Sequence, residues 1–112
     1  MGKDDLIRLR PMLDAANEAI GLAAGKSRVE IETERMLNLS LVRLIEIVGE
    51  AADHVSPEFC LSHSSIPWKE ITGMRHRFIH GYDNIDYDLL YQTIQEDLPA
   101  LVALLEGIIP PQ

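Results

Sequence analysis

The chain has one cysteine, Cys60, so no internal disulfide can form. A reducing cytoplasm is the simplest setting for such a sequence. Long apolar runs are also missing. The longest stretch without Asp, Glu, Lys or Arg is Phe59 to Trp68, and His63, serines and Pro67 interrupt it. That is too short and too polar to cross a bilayer. The N-terminus, Met-Gly-Lys-Asp-Asp, has no apolar core of a secretory signal. There is no excess of positive charge. The formal net charge is −8, which disfavours sequence-blind binding along nucleic acid. No internal repeat, low-complexity tract or linker divides the 112 residues, so one domain spanning 1–112 is expected. Several chemistries lack their signatures: no glycine-rich phosphate loop, no nucleotidyltransferase active-site pattern, and no serine or cysteine nucleophile motif.

What the chain does have is apolar content of 46% against 25% charged residues, the balance of a globular protein with a core. Period-2 alternation is not evident, whereas 3.6-residue periodicity runs throughout, so an all-α protein is expected. Leu6, Leu9, Leu13, Ala16, Ile20 and Ala23 form a stripe on a first helix from Asp4 or Asp5 to Ala24, with Gly25 ending it. Ser27 to Glu34 is polar and reads as a short helix or a connecting turn, its acids a solvated face. A second helix from Thr33 to Ser56 carries Leu37, Leu41, Leu44, Val48 and Ala51 on one stripe. Leu39, Val42, Ile45, Ile47 and Ala52 lie on its other faces. A helix so apolar all round is central in a bundle or shared with a second subunit.

Ser56-Pro57 marks a break, and Glu58 to Ser65 reads as a loop or short turn with His63 at the surface. Pro67 suits the start of a third helix, Trp68 to His80, with Trp68 packing at the bundle end. Ile71, Met74 and Phe78 form its buried stripe. Asp83-Asn84 signals a turn. Asp86 is the expected N-cap of a last helix reaching Ile108, with Tyr87, Leu90, Ile94, Leu98, Leu101, Leu105 and Ile108 inward. Pro99 falls inside that pattern and should kink it. The sum is an up-down bundle of four or five helices.

Chemistry concentrates in Arg75 to Tyr82: Arg-His-Arg-Phe-Ile-His-Gly-Tyr. Gly81 is a helix-stop signal. His80, in the last turn before it, feels the negative end of the helix dipole, while Arg75 and Arg77 oppose protonation. A histidine between these influences suits proton transfer near neutrality. A neighbouring guanidinium can grip phosphate with two hydrogen bonds and stabilise developing charge. Residues 68–82 carry Lys69, Arg75 and Arg77 against Glu70, a local +2. Residues 83–112 carry Asp83, Asp86, Asp88, Glu96, Asp97 and Glu106 with no Lys or Arg, a local −6. A small basic site on an acidic body could take a few phosphates.

The plain alternative is that Arg75, His76 and Arg77 are ordinary exposed residues and His80 a satisfied helix-end histidine. A metal alternative uses His76 and His80 at i,i+4, but the Glu of a helical His-Glu-x-x-His arrangement and any cysteine cluster are missing. On one ideal helix Arg75 and His80 stand about 140° apart, so they do not share a face. Either Arg75 reaches round on its long stem, or the helix loosens near Gly81, or the cleft lies across a two-fold axis; the last is favoured, because it would also cover the excess apolar surface of the second helix.

The pattern Arg-x4-His-x-Tyr at Arg75, His80 and Tyr82 resembles the motif of HEPN domains of the HepT toxin type. Ile66-Pro67-Trp68-Lys69-Glu70-Ile71-Thr72-Gly73-Met74-Arg75 is similar to that family's approach to its site. Ile45 to Ala52 and Glu96-Asp97-Leu98-Pro99 are similar too, so the likeness covers most of the chain from Asn38 onward. The resemblance implies a HEPN-like homodimeric bundle that cleaves RNA without metal or cofactor, as the toxin of a type VII-like toxin–antitoxin pair. It further implies a partner, a minimal nucleotidyltransferase antitoxin that silences the toxin by adding AMP to Tyr82. Arg75 and His80 would then be catalytic, with His76 assisting, and Glu46 and Arg77 supporting them, Glu46 by orienting Arg75. Glu46 and Glu50 also read simply as an exposed i,i+4 pair. A competing class is a non-catalytic, nucleotide-binding helical adaptor that docks on such a nucleotidyltransferase through its acidic last helix.

Overall fold

A computed structural model describes residues 3–77 and 84–110, except for the side chains of Lys3 and Arg75. The chain is a bundle of α-helices, with no β-strand among the described residues. Helix α1 spans Lys3–Ala23, with Asp4 and Asp5 in its first turn, where the positive end of the dipole favours acids. Leu9, Met12, Leu13, Ala16, Ala19 and Ala23 are its buried face. Pro11 lies inside α1 on the opposite, exposed side. Gly25 adopts a left-handed φ of 76°, and the Lys26 N–H donates to the Ala23 carbonyl, closing the helix.

Helix α2, Arg28–Thr33, resolves the choice left open at Ser27–Glu34 in favour of a helix. It opens on a capping box. The Ser27 hydroxyl accepts from the Glu30 N–H, and the Glu30 carboxylate accepts from the Ser27 N–H. Ile31 is buried while the acids stay at the surface, as a solvated face requires. The buried Asn38 amide donates to the carbonyls of Ile31 and Glu32, so the end of α2 is tied to the helix that follows.

That helix, α3, spans Arg35–Asp53, two residues shorter at its start and three shorter at its end than the apolar pattern suggested. Leu41, Leu44, Ile45, Val48 and Ala52 are buried. It packs along α1 and carries the site segment on another side. Met36 and Leu39 remain exposed, at 86% and 48% of their surface.

Ser56 and Pro57 start a helix rather than a loop. Helix α4 runs Pro57–Ser62, with the Ser56 hydroxyl accepting from the Phe59 N–H and proline at its first position. Asp5 at the start of α1 accepts from both the Ser56 N–H (3.0 Å) and the Ser56 hydroxyl (2.9 Å). Those two bonds hold its carboxyl below the ordinary aspartate value, the backbone N–H contributing most. The His63 ring, only partly exposed, stacks on Phe59 at 4.1 Å, and Trp68 meets Phe59 edge-on at 6.2 Å. Trp68 therefore is a packing residue, its indole N–H donating to the His63 carbonyl.

The expected helix Trp68–His80 is not continuous. Helix α5 covers only Trp68–Thr72 and ends at Gly73, and Met74–Arg77 forms a 3₁₀ turn in which the His76 N–H donates to the Gly73 carbonyl. Glycine destabilises a continuing α-helix, and the tighter i→i+3 pairing takes over beyond it. Ile71 and Met74 are buried as the stripe required, and Phe78 lies outside the described residues.

Asp86 caps the last helix as expected, accepting from the Leu89 N–H. Helix α6, Tyr87–Gln92, passes through a π turn at Thr93–Asp97 into α7, Leu98–Glu106. The disturbance expected from Pro99 takes this form. Proline has no N–H to donate and its ring crowds the carbonyl four residues back. The wider turn, in which the Leu98 N–H reaches the Thr93 carbonyl, accommodates both. Leu90, Ile94, Leu98, Leu101 and Leu105 all reach the core, with the π turn and α7 packed against α1 and α6 against α2.

Candidate ribonuclease site

Positioning of the site begins with Gly49. α3 comes so close to the end of α5 that a Cβ on Gly49 would lie 3.3 Å from the Ile71 carbonyl oxygen and 3.5 Å from that of Thr72. A side chain at this position would require the Ile71 carbonyl to give by a few tenths of an ångström, so glycine fits the close approach best. Ile71 and Met74 bury their side chains in the core beside this contact. The turn Met74–Arg77 packs on α3, the helix that also carries the half-buried Glu46.

The backbone of Arg75 lies within that turn. Its side chain, and all of His80 and Tyr82, fall outside the described residues, so the expected Arg75–His80 pairing and the Tyr82 phenol are not placed. The straight α-helix assumed for the 140° separation is not what Arg75 sits in, because Met74–Arg77 is a 3₁₀ turn. His76 and Arg77 are both exposed. Arg77 Nη1 donates to Asp97 Oδ2 at 3.0 Å, which links the basic turn to the end of the π turn. A groove of about 430 Å³ lies under this ion pair, lined by Pro67, Ile71, Met74, Leu101 and Leu104.

Sequence reasoning did not assign roles to Gly49 or Asp97. Gly49 sat within the recognised stretch Ile45 to Ala52, and Asp97 within Glu96-Asp97-Leu98-Pro99. Neither reveals its partner by spacing, since Asp97 stands twenty residues from Arg77. The acids of the last helix are also less free than composition suggested. Asp88 pairs with Arg28, Asp97 with Arg77, and Asp86 caps α6. Glu50, read with Glu46 as an exposed pair, is exposed and bridges to Arg43 at 3.2 Å. No helix among the described residues is long and apolar enough to cross a membrane.

Comparison with known proteins settles the family. A family model described as "Ribonuclease HepT-like" matches residues 12–108. The chain belongs to the HepT-like ribonuclease family. Its fold is accordingly that of a HEPN-type helical bundle, and the enzyme class is that of an endoribonuclease. Among curated relatives, "Probable ribonuclease HepT" of Thermococcus cleftensis is 34% identical over 67% of this chain and 68% of its own length. A "Putative RNase" of Methanocaldococcus jannaschii is 33% identical, covering 83% of this chain and 85% of the relative. Another from Caldanaerobacter subterraneus is 34% identical over 90% of both chains. No solved structure matched the chain.

Proposed function

We propose that this protein is a metal-independent endoribonuclease and the toxin of a type VII-like toxin–antitoxin pair acting in the cytoplasm. The observation that carries the reading is the basic 3₁₀ turn at Met74–Arg77, packed on α3, the helix that carries Glu46, in a chain of the HepT-like family. The ribose 2′-oxygen attacks the adjacent phosphorus, and the bond from phosphorus to the 5′-oxygen breaks. His80 takes the 2′-hydroxyl proton or delivers one to the leaving 5′-oxygen, and its counterpart in a second copy takes the other part. Arg75, oriented by Glu46, stabilises the charge of the crowded phosphorane. His76 and Arg77 supply polar and cationic contacts beside it. The products carry a 2′,3′-cyclic phosphate, or the 3′-phosphate formed from it.

The active unit is a homodimer with the 75–82 segment near its two-fold axis. Outward apolar residues of α3, Met36 and Leu39, support a contact between copies on that helix. A nucleotidyltransferase antitoxin adds AMP to the Tyr82 oxygen from ATP and Mg²⁺, releasing pyrophosphate. The new phosphate then competes with RNA for Arg75 and Arg77. The adaptor reading is the weaker one, because three of the acids it relies on, Asp86, Asp88 and Asp97, are already engaged within the chain.

Arg75→Ala and His80→Ala should each lower RNA cleavage about a hundred- to thousandfold, the usual effect of losing such a stabiliser. Circular dichroism and the dimer mass should be unchanged, and wild-type cleavage should persist in EDTA. Full cleavage by either variant would overturn the site. Loss of wild-type cleavage on chelation would revive the His76/His80 metal alternative. Intact-protein mass after incubation with antitoxin, ATP and Mg²⁺ should rise by one AMP, and Tyr82→Phe should remain unlabelled.

A further inference from the structure

We infer that Asp97 is a positioning residue of the ribonuclease site, acting through Arg77; the inference rests on the function proposed above. The ion pair is poorly suited to a purely structural role. It lies at the surface, with side-chain exposures of 39% for Arg77 and 33% for Asp97. Pairs this exposed contribute little to folding, because water and salt screen them. What the bond does fix is geometry. It connects two elements distant in sequence, the turn bearing Arg75–Arg77 and the last helix, at the mouth of an apolar groove. Ile71, Met74, Leu101 and Leu104 line the groove with the ion pair, together with the Glu70 side of α5.

Three features of the backbone aim Asp97 at this partner. The π turn ends at Asp97, the next residue Leu98 is fully buried against the core, and Pro99 follows where a regular α-turn would need its N–H. Asp97 is thus presented from a wide turn whose position is pinned on the next residue by burial. On the other side, Arg77 closes a 3₁₀ turn whose first residue, Met74, is buried. Both ends of the ion pair are anchored within three residues of a core side chain. The recorded bond uses one of the five N–H donors of a guanidinium. An arginine held at one edge presents the remainder of its planar fork in a defined direction, which is what recognition of a phosphate oxygen needs. Asp97 therefore sets where Arg77 meets the RNA backbone and steadies the turn that carries Arg75. It touches neither RNA nor the reacting atoms itself.

The test compares Asp97→Asn, Asp97→Glu and Arg77→Ala, with the double variant Asp97→Asn/Arg77→Ala and with Arg75→Ala as the site control. Single-turnover cleavage of a short RNA, KM and the thermal midpoint are measured for each full-length protein. Asp97→Asn should lower the cleavage rate about tenfold, equivalent to ~1.4 kcal/mol in the barrier. Its melting midpoint should stay near that of wild type. Asp97→Glu, which keeps the charge, should recover part of the rate. In the Arg77→Ala background the Asn substitution should have no further effect, because the two residues act as one unit. Wild-type rates for Asp97→Asn, or equal losses with and without Arg77, would overturn the assignment. So would a loss of rate that merely follows a fall in melting temperature. If Arg75→Ala is inactive while Asp97→Asn is unaffected, the site stands and only the positioning role fails. If Arg75→Ala cleaves normally, the site reading fails and the positioning role fails with it.

Discussion

Two parts of this molecule are built differently. The framework of α1, α3 and the last helix is continuous, and its stripes interlock through residues such as Leu9, Met12, Leu41, Ile45, Leu90 and Leu98, all fully buried. The arm from Trp68 to Arg77 is a five-residue helix, a glycine and a single 3₁₀ turn. No helix that short is stable alone, since nucleation is unfavourable and few bonds offset it. The arm keeps its shape because Ile71 and Met74 enter the core, Gly49 admits its backbone, and Asp97 holds its far end. The lesson is a division of labour. The framework supplies the folding free energy, and the arm borrows its position from the framework while presenting polar groups to solvent.

Substitutions that separate stability from cleavage test this contrast. Leu41→Ala, inside the framework, should cost about 2–5 kcal/mol on denaturant unfolding through lost burial and the cavity left behind. The protein that remains folded should cleave RNA at the normal rate per molecule. Arg75→Ala should show the reverse, an intact unfolding curve with the cleavage loss given above. If Leu41→Ala instead reduced the rate of the folded fraction, the two parts would not be separable.

Gly49 lies on the boundary, so its variants should divide by size. Gly49→Val forces bulk against the Ile71 carbonyl and should destabilise by about 1–3 kcal/mol. Gly49→Ala gains helix propensity of about 1 kcal/mol while pressing on the same oxygen at 3.3 Å. Its melting midpoint should therefore stay near wild type while cleavage falls, because α5 and the turn beyond it are displaced. Unchanged cleavage in Gly49→Ala would mean the arm does not need this seat.

The smallest expected effect is on pH dependence and belongs to the framework alone. Asp5 has its folded pKa below the ordinary 3.8, so its contribution is present above about pH 3.8 and disappears as pH falls through the folded value. Asp5→Asn should be less stable than wild type at pH 6, and the difference should shrink as pH falls below about 3.8 and through the lowered folded value. Thermal melts across that range check it. A difference that persisted at low pH would show that the Ser56 bonds, not the charge, matter.

The contrast also explains what could be read from the amino-acid order. The framework helices were legible because their stripes repeat over about three to four turns, as from Leu9 to Ala23 and from Leu41 to Ala52. Short elements depend on caps rather than stripes. The Ser-x-x-Glu of Ser27 and Glu30, and the Ser56-Pro57 pair, were helix-start signals of that kind. From sequence the first leaves helix and turn both open, and the second reads as a break. In the arm, the spacing of Ile71 and Met74 was correct for burial, yet Gly73 between them ended the α-helix. Three apolar residues are too few to fix a phase across a glycine. The motif Arg75, His80 and Tyr82 was readable by resemblance. The Arg77–Asp97 bond was not, because it depends on a turn width that no residue spacing encodes.

That width has a consequence for insertions and deletions. On an ideal α-helix Leu90 and Leu105, fifteen positions apart, would diverge by about 60°, yet both are fully buried. The π turn absorbs the mismatch by housing a surplus residue. Loss of one codon from a helix normally rotates everything downstream by about 100° and turns its core residues outward. Removal of Gln95, exposed in the middle of the turn, would instead let the segment relax to ordinary α geometry with the flanking leucines still inward. The bundle would tolerate the shorter chain, whereas Asp97 would turn away from Arg77 and Pro99 would face a carbonyl it cannot satisfy. Length at this one place is thus constrained by what the surface must present, and not by what the interior must bury.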